Sequence, residues 1–271
     1  MSLVAPRWAA LANLRAARSL LPSELVPPLT RTVEGLGLVC ENLQVTGSYK
    51  VRAMAYWMAR FASAVPKAGL ALASSGNFAI ALAWAGRRYQ IPVTAVMMRR
   101  SHPWKVERVR ALGGQVVLCG DSTEERTQAL ASLQAQGLQI IDHLNDPEVL
   151  VGHSTLGLDL MHALSDAPST VVVPASTGGL LVATALAVKQ ISPTTRVIGV
   201  QPEGANAMVT SFHSGKLQRL DQVVTECDAL TANLPGPLPW ELCRAWVDDM
   251  VQVSEQAVRE SVRWLVEEAK L

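Results

Sequence analysis

Three short loops hold the residues of this chain whose types and spacing suit chemistry. The first is Asn42-Leu43-Gln44-Val45-Thr46-Gly47-Ser48-Tyr49-Lys50-Val51-Arg52. It sets Lys50 behind a Gly-Ser turn, at the start of an apolar helical stretch, with the ring of Tyr49 beside it. An amine held on a rigid element in partly apolar surroundings is suited to condense with a carbonyl group. Taken alone, Lys50 is an ordinary surface lysine at a helix start; two further loops change that reading.

The second loop is Ala73-Ser74-Ser75-Gly76-Asn77-Phe78-Ala79, between the apolar run 69–73 and an Ala-rich helical stretch that reaches about Tyr89. A strand, a small polar turn and a helix start aim backbone N–H groups at one spot, and the helix dipole adds to their pull. Such a turn suits a carboxylate or a phosphate. The third loop is Pro174-Ala175-Ser176-Thr177-Gly178-Gly179-Leu180, between the β-branched run Thr170–Val173 and a helical stretch over 180–190. Gly178 and Gly179 let a phosphate approach the backbone closely, and the hydroxyls of Ser176 and Thr177 add donors. Each loop by itself is a weak signal, because strand-to-helix turns are routinely rich in Gly and Ser.

The elements that must position these loops follow from hydrophobic periodicity. Residues 93–98, 115–119, 139–142, 170–173, 197–201 and 250–253 read as strands, and 104–112, 122–136, 148–164 and 180–190 as helices. Short, near-continuous apolar strands alternating with amphipathic helices predict an α/β fold with open, mostly parallel twisted sheets and helices on both faces. Ligands of such sheets bind beyond the carboxyl ends of the strands, where all three loops fall. Ser254 reads as the N-cap of a last helix whose Val258, Val262, Leu265 and Val266 face the core. Near the start, Trp8, Leu11, Leu14, Leu20 and Leu21 read as a helix packed on the body of the protein.

The order Asn-Leu-Gln-x-Thr-Gly-Ser-aromatic-Lys, then Ser-Ser-Gly-Asn, then a Gly-rich loop after a Val-Val-Pro strand resembles the fold type II pyridoxal-phosphate enzymes. Within them the chain is most similar to the threonine/serine dehydratase and serine racemase group. The resemblance runs from about Leu29 to the last residue and includes Ile198-Gly199-Val200-Gln201-Pro202-Glu203-Gly204-Ala205. It implies a two-domain architecture: residues 1–68 and 152–271 forming a large cofactor-binding domain, and residues 69–151 a small substrate-binding domain. It also implies pyridoxal phosphate as cofactor, held covalently by Lys50, covered by Tyr49, met at its ring oxygen by Asn77 and cradled by Ser176, Thr177, Gly178, Gly179 and Leu180. The substrate carboxylate is then expected on Ser74, Ser75, Gly76 and Asn77, with Lys50 and Ser75 as the catalytic pair. The implied reaction removes water from L-serine or L-threonine to give a 2-keto acid and ammonia, with racemisation through Ser75 as a second outcome. Ser75 reads alternatively as a helix cap that binds carboxylate.

Departures from the family pattern sharpen the expectations. Ser176 and Thr177 stand where many relatives have glycines, and a positive φ at Thr177 would be strained. Gln201 and Ala207 replace acids that hold a divalent cation in some relatives, so no metal site is expected. Phe78 stands where histidine is frequent, and Ala229 where glycine is usual. The five histidines, His102, His143, His153, His162 and His213, show no metal-ligand spacing and read as structural. The family normally continues past the equivalent of Leu271, so a C-terminal part that partners the pyridine nitrogen is expected to be missing. Two alternatives stay open: a β-replacement transferase of the cysteine synthase kind, and a non-catalytic binding relative.

Composition narrows the classes further. A net charge of +1 with 17% charged residues leaves no electrostatic footprint for nucleic acid. No apolar run reaches the ~18 residues that a bilayer span needs. Cys40, Cys119, Cys227 and Cys243 lack CxxC spacing and read as reduced thiols of a cytoplasmic protein. The expected partners are a small amino acid and further copies of the chain, as a homodimer or larger homo-oligomer.

Overall fold

The computed structural model describes residues 5–25, 30–33 and 35–271; Leu29, where the family resemblance begins, lies outside them. In chain order, α1 (Leu11–Ser19) precedes an antiparallel pair, β1 (Thr30–Val33) and β2 (Leu36–Val39). Then come α2 (Lys50–Phe61), β3 (Leu70–Ala73), α3 (Asn77–Tyr89), β4 (Val93–Met98), α4 (Pro103–Ala111), β5 (Gln115–Cys119), α5 (Thr123–Ala135), β6 (Gln139–Ile140) and α6 (Pro147–Ala163). The remainder is β7 (Thr170–Pro174), α7 (Gly179–Ile191), β8 (Arg196–Pro202), α8 (Ala207–Ser214), α9 (Pro237–Trp246), β9 (Asp249–Val253) and α10 (Glu255–Glu267).

The described residues form two compact units. One takes in residues 17–25 and 41–152, the other residues 5–16, 30–33, 35–40 and 153–271. The first is built on a parallel sheet in the order β5-β4-β3-β6. Its central strands bury nearly everything they carry, with Leu70, Ala71, Leu72 and Val96 at 0% exposure. Continuous apolar strands are what a sheet covered on both faces requires. On one side Ala71, Val96, Cys119 and Leu133 pack into a core that Leu130 and Ile140 extend. Ser122 starts α5 with a capping box: its Oγ accepts the Glu125 N–H (3.1 Å), and Glu125 accepts the Ser122 N–H (3.2 Å).

The second unit carries a parallel sheet in the order β7-β8-β9, backed by α7, α8 and α9. Leu181, Val182, Ala185 and Leu186 of α7 are fully buried. Lys189 on that helix meets both oxygens of Asp248 (2.8 Å to Oδ1, 2.7 Å to Oδ2), and Oδ2 also accepts the Val197 N–H of β8 (2.6 Å). On the opposite face of the sheet Val172 and Val251 are 61% and 39% exposed.

Three expectations need correction. Ser254 does cap α10, its Oγ accepting the Ala257 N–H (3.1 Å), but no residue of α10 is buried, and Val262 and Val266 are 55% and 58% exposed. A helical apolar pattern says which side would be covered, not that something covers it. At the start of the chain, Leu14 is buried as expected, whereas Leu20 is 42% exposed and lies just past α1. The strand expected over 139–142 ends at Ile140, because Asp142 folds back into a turn described below.

The start of α6 lies against α2 at Gly152, where an added Cβ would fall 2.5 Å from the Ala53 Cα. No side-chain rotation relieves a clash with backbone. Gly152→Ala is therefore expected to destabilise the chain by roughly 1–3 kcal/mol, despite the ~1 kcal/mol that alanine gains over glycine in helix propensity. Chemical denaturation measures this directly, and an unchanged midpoint would refute the close approach.

Candidate active site

Lys50 is the first residue of α2, and the turn before it closes with the Gly47 N–H donating to the Gln44 carbonyl (2.7 Å). Gly47 has φ +75°, a conformation that glycine adopts without strain. The Lys50 Nζ stands 4.1 Å from the centre of the Tyr49 ring and 5.7 Å from that of Phe78. Among the described residues no carboxylate forms an ion pair with it. Two residues earlier, the Ser48 Oγ is buried with no protein partner. Bound ligands commonly satisfy such groups.

Phe78 brings the second loop to the same place, because it sits in the first turn of α3. The N-cap of that helix is Gly76, with no side-chain cap. This overturns the capping role considered for Ser75. Its Oγ instead accepts the Met98 N–H of β4 (3.0 Å), while the Ser74 Oγ accepts the Gly76 N–H (3.3 Å). Both hydroxyls are thus fixed at the carboxyl ends of β3 and β4, with Asn77 opening the helix that follows. A Cβ at Gly76 would lie 3.9 Å from the Lys105 Nζ, so an ammonium group from α4 stands over this turn. The turn therefore offers an anion a helix N-terminus, small hydroxyls and a cation.

The third loop belongs to the other unit. Its positive φ falls on Gly178 (+96°), the N-cap of α7, and not on Thr177, so the strain foreseen at Thr177 is absent. That φ reserves the position for glycine, and a Cβ there would also press on the flexible end of Met208, 2.2 Å from its Cε. The first helical bond is Val182 N–H to Gly178 carbonyl (3.0 Å), so the N–H groups of Gly179, Leu180 and Leu181 have no acceptor within their own helix. Buried Gln201 anchors the loop from below: its Nε2 donates to the Ser176 carbonyl (3.4 Å), and its Oε1 accepts the Met208 and Val209 N–H groups (2.8 and 2.9 Å). Gln201 is a structural clamp, a role its place in the sequence did not disclose. Among the described residues no cluster of three His, Cys, Asp or Glu could hold a metal ion.

Sequence reasoning also passed over His143. Its ring packs on Phe78, centroids 4.5 Å apart, one residue beyond the Asp142 turn. Burial, opposed by Asp142 and reinforced by the Lys50 and Arg126 charges, pushes its pKa down to about 4, so the imidazole is neutral near pH 7. A signal did exist: His143 follows the carboxyl end of parallel β6, the side of such sheets where ligands bind.

Comparison with known proteins is decisive here, since the family model described as "Pyridoxal-phosphate dependent enzyme" matches residues 22–271. The chain belongs to that family. It is 37% identical to an L-threonine ammonia-lyase of Thermotoga maritima over 86% of this chain and 58% of that protein. It is 34% identical to the catabolic L-threonine dehydratase of Escherichia coli over 85% of this chain and 70% of that one. Among solved structures, maize serine racemase superposes with a TM-score of 0.92 at 28% identity, over 96% of this chain and 82% of that one. The chain thus spans well under two thirds of the Thermotoga relative. The family uses pyridoxal phosphate. In one unit, the Lys50 amine beside two aromatic rings and the orphaned Ser48 hydroxyl fit that group; in the other, the glycine-capped start of α7 fits a phosphate.

Proposed function

We propose that the chain is a pyridoxal-phosphate-dependent ammonia-lyase that removes water from a small β-hydroxy amino acid, L-serine or L-threonine, to leave a 2-keto acid and ammonia. The observation that carries this reading is the meeting of Lys50 with the turn 74–77 through Phe78, whose ring lies 5.7 Å from the Lys50 Nζ. An amine and an anion-binding turn then face one space within a single unit. Relatives at 34–37% identity named for threonine turnover support the reaction class.

Pyridoxal phosphate, when bound, supplies an electron sink for the pair released at the substrate Cα. This chain's residues do the rest. Lys50 would hold the cofactor carbonyl carbon; once the substrate amine has displaced it, its freed amine would accept the Cα proton. Tyr49 would cover a ring face and limit water there, and Asn77 would donate to the ring oxygen. Ser74, Ser75, Gly76 and Asn77 would grip the substrate carboxylate, with the Lys105 ammonium beside them. Ser176, Thr177, Gly178, Gly179 and Leu180 would receive the phosphate. Loss of the Cα proton and the β-hydroxyl releases water; hydrolysis of the resulting enamine gives the keto acid and ammonia.

Racemisation is a second outcome with an observation of its own. The Met98 N–H donates to the Ser75 Oγ (3.0 Å), a bond that stabilises negative charge on that oxygen and so favours its use as a proton acceptor. The reading extends to a homodimer or larger homo-oligomer at work in the cytoplasm, which light scattering and cell fractionation check.

The test is a keto-acid assay of the cofactor-loaded chain with L-serine and L-threonine, with and without an added thiol. Keto acid and ammonia in equal amounts are expected for at least one amino acid, unaffected by the thiol. A thioether product in place of keto acid would make the chain a β-replacement transferase. Bound cofactor without any turnover would leave a binding relative of the fold.

A further inference from the structure

The lyase reading leaves the substrate's β-substituent without a recognised partner. Around Lys50 the side walls are the rings of Tyr49 and Phe78, which offer no hydrogen bond at their faces. A hydroxyl buried there would lose water and gain nothing in return. A polar group close to Phe78 is His143, whose ring lies 4.5 Å from it, centroid to centroid. Neither ring nitrogen has a hydrogen-bond partner in the protein among the described residues.

His143 is also rigidly placed. The Asp142 Oδ1 accepts the Leu144 N–H (3.1 Å), its Oδ2 accepts the Asn145 side-chain amide (2.8 Å), and its carbonyl accepts the Asn145 and Asp146 N–H groups (3.1 and 2.9 Å). This turn is bolted to α2: the Trp57 Nε1–H donates to the Asp146 Oδ2 (3.0 Å) and the Tyr56 hydroxyl to the Glu148 Oε2 (2.5 Å). Helix α2 starts at Lys50. The lysine amine and the His143 imidazole are therefore two fixed points of one frame, and both lie close to the Phe78 ring.

We propose that His143 determines specificity by hydrogen-bonding the β-hydroxyl of the amino-acid substrate, an assignment that rests on the lyase reading above. A hydroxyl is one donor and two acceptors; a neutral imidazole is one donor and one acceptor, so each can satisfy the other. The charges that face the ring are Asp142, Lys50 and Arg126. The two cations disfavour an imidazolium, and a neutral ring does not compete with the turn 74–77 for the substrate carboxylate. Serine and threonine fit this description, whereas alanine leaves the imidazole unpaired.

The test compares L-serine with β-chloro-L-alanine, whose chloride leaves without needing a hydrogen bond. His143→Phe, which keeps the ring packing on Phe78, is expected to lower kcat/KM for L-serine by roughly 10- to 100-fold. Turnover of β-chloro-L-alanine is expected to stay within about threefold, and His143→Asn, which keeps a donor and an acceptor, to recover part of the serine loss. An equal fall for both substrates would make His143 a packing residue, and no fall for either would remove it from the substrate. A binding readout separates this from the lyase reading. In Lys50→Ala with added pyridoxal phosphate, calorimetry should give L-serine about tenfold tighter than L-alanine, a preference that His143→Phe erases. Absence of that preference, or of amino-acid binding, overturns the assignment even if the loaded enzyme is a lyase. A wild-type chain that turns over neither serine nor chloroalanine, yet keeps the preference, overturns the lyase reading alone.

Discussion

Lys50→Ala is expected to abolish the visible absorption band of protein-bound pyridoxal phosphate and to cut keto-acid formation by at least ~10³-fold, with the fold intact. The amine would both hold the cofactor and move the Cα proton on its own face, so its loss removes both tasks at once. The effect on stability should be small. Lys50 is the first residue of α2, it makes no ion pair among the described residues, and alanine is a better helix former. Circular dichroism and the denaturation midpoint should match the parent protein. Spectra of both chains with added cofactor decide the matter: a band in the parent that the variant lacks fixes the attachment point. A variant with full activity would sink the assignment altogether. A parent without a band would mean that the chain does not hold the cofactor.

The loops were legible because their chemistry is local. A Gly-Ser turn before a lysine, or two serines before a glycine at a helix start, can be read residue by residue. The parallel sheets were legible for a related reason: strands buried on both faces, such as β3 and β4, are continuously apolar. What stayed hidden depends on residues distant in sequence. What excludes the cap reading of Ser75 is the Met98 N–H, 23 positions away, which binds its oxygen. The strain assigned to Thr177 vanished because the positive φ moved one residue on, to a glycine whose missing Cβ makes room for Met208. The exposed valines of α10 show the limit from the other side, since amphipathicity does not name what a helix packs against.

His143 and Lys105 illustrate the same limit at the site itself. No spacing rule links a histidine after β6 or a lysine on α4 to Lys50; only the sheet order β5-β4-β3-β6 brings the carboxyl ends of these strands side by side. In sequence, the order of the strands is the missing quantity. Given that order, the loops after β3, β4 and β6 become neighbours, and their polar residues become candidates for one site.

Arg52 offers the largest expected effect on stability. Its side chain is fully buried one turn into α2, and it grips Glu41 through two bonds, Nε to Oε2 and Nη2 to Oε1, each 2.9 Å. The Gln44 side-chain amide adds a third contact to the same carboxylate (3.2 Å). Glu41 itself is only 8% exposed and opens the 3-10 turn Glu41–Leu43, from which the chain runs through residues 44–49 to Lys50. Arg52→Met would fill much of the volume but leave a carboxylate buried without its partner. The expected loss is about 3–5 kcal/mol, because an uncompensated buried charge costs far more than the net worth of the pair. Adding Glu41→Leu should return most of that loss, since a buried ion pair replaced by apolar groups of similar size is often close to neutral. Chemical denaturation of the two single variants and the double variant measures the coupling. A loss below about 1 kcal/mol for Arg52→Met would show that water reaches the pair, and would remove it from the frame that sets the direction of Lys50. If the double variant recovers stability yet binds pyridoxal phosphate less tightly, the bidentate geometry serves to aim Lys50 beyond merely satisfying two buried charges.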